Sequence, residues 1–167
     1  MSNENKVKSI RVFLKKGHTK PESLPVKVLE FLKSLRDIDA QLFSTWFEQG
    51  QSKKQALSKE VRFEERYIAE LITKEWDDKF PELGSTFMLW SGKDSEVKNT
   101  KVSFRIGVTS SKSHATEFIG ISMPFEVSLQ PEKDDRRIID IVKLIKQLFP
   151  VESIDIYSFS AGYTSQS

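Results

Sequence analysis

The chain has 167 residues, enough for one domain that buries roughly 70% of its unfolded surface, and its 38% hydrophobic content with twelve phenylalanines excludes a wholly disordered chain. The absence of cysteine excludes disulfides, thiolate metal centres and cysteine nucleophiles. Twenty-six basic residues against 24 acidic ones leave a net charge of +2, too close to neutral to argue for nucleic-acid binding.

Residues 8–15 alternate Ile10, Val12 and Leu14 against Ser9, Arg11 and Phe13, the period of a strand with one apolar face. Over residues 22–35, Leu24, Val28, Phe31, Leu32 and Leu35 share one helical face. Pro25 falls in the first turn, where its missing amide is tolerated. Asp37 and Asp39 break the pattern. Residues 41–48 then place Leu42, Phe43, Trp46 and Phe47 on both faces of an extended segment, and a strand apolar on both sides is expected near the centre of a sheet. Gly50 permits a turn. Ser52 and Gln55 have the spacing of a capping box, so a short helix is expected from Ser52. Tyr67, Ile68, Leu71, Ile72 and Trp76 recur at helical spacing over residues 64–80, and Pro81 ends that element.

Residues 86–90 form a β-rich apolar run closed by Ser91 and Gly92, followed by an exposed polar loop through Thr100. Val102, Phe104, Ile106 and Val108 alternate with Ser103, Arg105 and Gly107 in the cleanest half-buried strand. A Ser-rich loop over residues 109–116 precedes a strand over residues 118–129. There Ile119, Ile121, Met123, Phe125, Val127 and Leu129 share a face, and Pro124 marks a bulge or an edge. Over residues 134–149, Ile138, Ile141, Val142, Ile145, Leu148 and Phe149 form a helical stripe, with Asp134 and Asp135 at the positive N-terminal end. Residues 153–159 supply a last strand, and residues 160–167 a polar tail.

This order implies one α+β domain over residues 1–167, a mainly antiparallel sheet of about six strands covered by three to four helices. Three strands in succession after the middle argue against a doubly wound fold. The first residues are polar, carry Glu4, and precede no apolar run long enough for a signal or a membrane span. A cytoplasmic protein that engages neither membrane nor nucleic acid is expected.

No catalytic or metal-binding pattern accompanies the fold signals. His18 and His114 lie in turn-like stretches without Asp, Glu or His at ligand spacing. Ser110, Ser111 and Ser113 near His114 lack a nucleophile elbow and an orienting acid. Gly107 and Gly120 fall within strands, outside any phosphate-binding pattern. The acid pairs Glu64/Glu65, Asp77/Asp78 and Asp134/Asp135 sit at helix ends or on solvated faces, so no metal or cofactor is expected. Among the tryptophans, Trp76 reads as core. Trp46 and Trp90 precede glycine turns at strand ends, where core packing and partner contact are both open.

The block over residues 42–57, with Trp46, the turn at Gly50 and then Ser52, Lys53, Lys54, Gln55, Ala56 and Leu57, resembles bacterial polymorphic-toxin immunity proteins of the immunity protein 52 family. The likeness extends loosely along the chain, through an initial strand and helix, this block, and late strands with a helix before the last. The resemblance implies a cytoplasmic antidote without enzymatic activity. Its partner would be a cognate toxin protein, such as a nuclease delivered by type VI secretion, neutralised by occlusion. An inhibitor of a basic cleft presents acids, so a local acidic patch is expected, with Asp77, Asp78, Glu82 and, in the loop after Trp90, Asp94 and Glu96 as candidates. Three alternatives remain: an effector chaperone or adaptor, a small hydrolase or transferase using Ser and His114, and a purely structural subunit.

Overall fold

The alternating apolar residues converge on one face of a single sheet. A computed structural model of the chain describes residues 5–93, 98–109, 115–126 and 131–160. The strands are β1 (Asn5–Leu14), β2 (Phe47–Glu48), β3 (Ser85–Trp90), β4 (Lys101–Ile106), β5 (Glu117–Glu126) and β6 (Val151–Ser160). Their order is β2-β3-β4-β5-β1-β6, and every neighbouring pair is antiparallel. Strands β3, β4 and β5 form the expected meander, while β1 inserts between β5 and β6. The α+β architecture read from the sequence is present.

The helices are α1 (Leu24–Ile38), α2 (Ala40–Phe43), α3 (Lys53–Leu57), α4 (Glu65–Lys74) and α5 (Pro131–Leu148). Helix α1 packs against both α4 and α5, and the three long helices cover one side of the sheet. Ile10, Val12, Phe104, Ile106, Ile119 and Ile121 face them with at most 1% of their surface exposed. Phe31 joins the layers: its ring meets Phe104 of β4 edge-on at 6.0 Å and Phe149 after α5 at 6.3 Å. An ion pair of 2.8 Å between Arg137 and Asp39, both largely covered, fastens α5 to the start of α2. The opposite face carries Arg11, Phe13, Met88, Arg105 and Phe118, and among the described residues α3 flanks it at its β3 corner. No helix among the described residues is long and apolar enough to cross a membrane.

Three expectations need correction. Residues 41–48 are not a central strand but the short helix α2 followed by the two-residue edge strand β2. Asp39 caps α2 by accepting from the Leu42 amide at 3.2 Å, and Phe43 and Trp46 then enter the same core. Helix α4 stops at Lys74, because the Ser85 hydroxyl takes the Ile72 carbonyl at 2.8 Å and Trp76 bridges to Ser85 as extended chain. Ser91, Asn99 and Thr100 are buried rather than exposed: Asn99 Oδ1 accepts from the Lys93 amide at 2.7 Å, and Ser91 Oγ from the Thr100 amide at 2.9 Å. Pro124 does fall at an edge, since the β4 ladder ends at Ser122. The expected positions Val127 and Leu129 lie outside the described residues.

The capping expectation at Ser52 holds. Its hydroxyl accepts from the Gln55 amide at 3.1 Å, while the Gln55 side chain accepts from Gln51 at 2.6 Å, one residue earlier than in the standard box. Gly50 is needed for close approach, since a Cβ there would come within 2.6 Å of the Ala56 nitrogen. Ser52→Ala is expected to cost about 1 kcal/mol in denaturant unfolding. An unchanged midpoint would place α3 outside the cooperative unit.

Candidate functional site

Of the two candidate tryptophans, Trp46 is core. It is 0% exposed, stacks on Phe43 at 6.3 Å with an interplanar angle of 12°, and donates its ring N–H to the Phe43 carbonyl at 3.1 Å. A folded chain cannot offer it to a partner, so that candidate is withdrawn. Trp90 is half-buried beside Phe47 and donates to the Glu48 carbonyl at 3.3 Å. It lines a groove of about 310 Å³ with Gln49, Lys53, Met88 and Lys101, and keeps an accessible ring.

Beside that groove, Glu48 ties β2 to α4. The Tyr67 hydroxyl donates to one carboxylate oxygen, and Lys74 Nζ meets the other at 2.5 Å. Burial alone would raise the Glu48 pKa, but the hydrogen bonds from Lys74 and Tyr67 outweigh it and hold the group below the usual carboxylate range. The Tyr67 hydroxyl is pushed up by burial and by its bond to Glu48. With its acceptors committed to α4, this cluster acts as a clamp.

Of the acids expected to form a patch, Asp77, Asp78 and Glu82 lie in the loop before β3. Asp77 Oδ1 accepts from the Lys79 amide at 3.0 Å and the Phe80 amide at 2.8 Å, so its charge serves the turn. The Trp76 ring N–H holds the Pro81 carbonyl at 2.9 Å, and the Thr109 amide holds that of Glu82 at 3.0 Å. Trp76 in turn lies on Gly107, where any Cβ would meet its ring at 2.3 Å and the backbone has φ +78°. This preformed loop displays Phe80, 54% exposed, beside exposed Asp78 and half-buried Glu82. Lys79 within it tempers the acidity. Asp94, Glu96, His114, Ser110, Ser111 and Ser113 lie outside the described residues.

One residue escaped the sequence reading altogether. Glu117 opens β5 opposite Leu14, on the face that also carries Ile119, Ile121 and Met123, and is 1% exposed. Burial pushes its carboxyl up to about 7 from the ordinary 4.5, despite a backbone hydrogen bond from Gly107, and Oε2 has no hydrogen-bond partner among the described residues. Beside it a pocket of about 330 Å³ is lined by Phe13, Leu14, Lys16, Thr116, Glu152 and Ser153. The β1–β6 register slips here: Phe13 faces Ser153 but Leu14 faces Val151, so Glu152 is the extra residue of a bulge.

Antiparallel pairing brings these features to one end of the sheet, where β3, β5 and β6 begin and β1 and β4 finish. The Phe80 loop feeds β3 on one side, and Glu117 with its pocket lies at the β5, β1 and β6 termini on the other. No protein-family model matches the chain, and no curated protein matches it.

Proposed function

We propose that the chain is a cytoplasmic immunity protein that binds a cognate toxin protein and neutralises it by occlusion, without chemistry of its own. The observation that carries this reading is the Phe80 loop, an exposed aromatic on a backbone fixed by hydrogen bonds and flanked by Asp78 and Glu82. Such an anchor contributes contact area with little ordering cost on binding, because its conformation is already set. The neighbouring acids complement a cationic cleft of the kind a nuclease uses to hold phosphates, and they steer association. The likeness of residues 42–57 to the immunity protein 52 family supports a toxin as the partner class. An interface of about 1,600 Å² around this end of the sheet is sufficient for stable inhibition.

Co-expression with the product of the adjacent open reading frame is expected to give a stable complex and to restore growth. Phe80→Ala is expected to weaken that complex by about 2 kcal/mol, roughly thirtyfold, with the thermal midpoint of the free protein nearly unchanged. Equal survival of toxin-expressing cells with and without the chain would overturn the reading. A complex in which the effector stays active would point instead to an adaptor.

A further inference from the structure

We infer that the pocket between the ends of β1 and β5 and the bulge of β6 binds a guanidinium or ammonium group, with Glu117 as the buried counter-charge and Glu152 as a second carboxylate in the wall. The inference stands on the pocket and not on the identity of any toxin.

Among the described residues the Glu117 carboxyl receives a backbone hydrogen bond from Gly107, and its buried Oε2 has no hydrogen-bond partner. A buried carboxylate so placed costs stability unless a cation or further donors complete it. Lys16 lines the same pocket, yet it is not within hydrogen-bond reach of Oε2. The wall therefore holds two carboxylates against one ammonium.

The shape fits an organic cation with an apolar stem. Phe13 and Leu14 provide an apolar side, Thr116 and Ser153 provide hydroxyl groups, and about 330 Å³ lies at the lower end of small-ligand sites. Among the described residues no group of three or more potential metal ligands gathers, so a guanidinium or ammonium suits the wall better than a divalent ion. The bulge is what brings Glu152 to this position, because regular pairing past Phe13 would put it directly opposite Leu14. Oε2 is closed off from solvent, so engagement requires the carboxyl group to turn toward the pocket. Burial raises the carboxyl pKa, and a cation bound beside it would lower it again.

The test is a titration of the full chain with methylguanidinium chloride at constant ionic strength, read on the carboxyl carbon of ¹³C-labelled Glu117. A saturable shift is expected, Glu117 should titrate at lower pH in the presence of the cation, and Glu152→Gln should weaken binding roughly tenfold. Glu117→Gln, followed on the amides of Leu14 and Ser153, should abolish saturation. A blocked Gly-Arg-Gly peptide binding more tightly than methylguanidinium assigns the site to an arginine of a partner protein, and the reverse order assigns it to a free cation. No saturable shift up to about 100 mM, or undiminished binding in Glu117→Gln, overturns the inference. The wild-type titration of Glu117 does not depend on how any variant folds.

Discussion

Replacing Trp46 with alanine is expected to lower the unfolding free energy by about 3–5 kcal/mol. The ring is wholly buried, stacked on Phe43, and its N–H is spent on the Phe43 carbonyl, so truncation removes packing and orphans a buried acceptor together. The backbone around it adds to the effect. The Trp46 carbonyl accepts from Val61 at 2.8 Å, and Glu48 N–H donates to the Lys59 carbonyl at 3.0 Å, so the ring anchors the segment that leads into β2 and holds the far edge of the sheet. A domain of this size has about 5–15 kcal/mol in total, so the variant should be close to marginal at 37 °C. Trp90→Ala, which removes a half-buried ring, should cost clearly less. Urea unfolding followed by far-UV circular dichroism measures both, and comparable losses would mean that β2 and α2 are not locked by Trp46.

The same residue shows where the sequence was legible and where it was not. Ile10, Val12 and Leu14, or Val102, Phe104 and Ile106, have one apolar neighbour pattern that satisfies only a strand, and the structure uses them so. Leu42, Phe43, Trp46 and Phe47 satisfy two periods at once. The competing extended and helical readings are resolved by Asp39, whose side chain caps a helical turn and sends both large rings into one core. Trp76 likewise continues the spacing of α4, yet tertiary demand decides its place: Ser85 caps the helix and Gly107 offers the ring a flat seat. Asp77, Asp78 and Glu82 are legible as a group because they lie close together in the sequence. The helical spacing over residues 64–80 takes in Phe80, but the helix ends at Lys74. Glu117 was missed for a simpler reason: a strand read from Phe118 leaves it outside, whereas one begun a residue earlier puts an acid at the head of the apolar face. Which strand ends meet at one end of the sheet depends on strand order, and local periodicity does not carry that.

The two perturbed carboxyl groups limit stability from opposite sides. Glu48 is held below the usual carboxylate range, so its contribution is present above the ordinary carboxylate pKa and is lost as pH falls through its lowered value. Glu117 is the reverse. Its folded pKa is raised from 4.5 to about 7, so its contribution is fully present below the ordinary value and is lost as pH rises through about 7. At 1.36 kcal/mol per pH unit, that interval corresponds to about 3 kcal/mol. Glu117→Gln keeps the size of the group and removes its charge, so the wild type should lose about that much relative to the variant between pH 4 and pH 8. Near pH 4 the variant should be no more stable than the wild type, since its amide also needs an acceptor. Urea-unfolding free energies of both proteins across this range decide the matter, and parallel profiles would show that Glu117 ionises without cost. Methylguanidinium at pH 8 should then return part of the lost stability to the wild type and none to the variant, because only an ionised carboxylate gains from the cation.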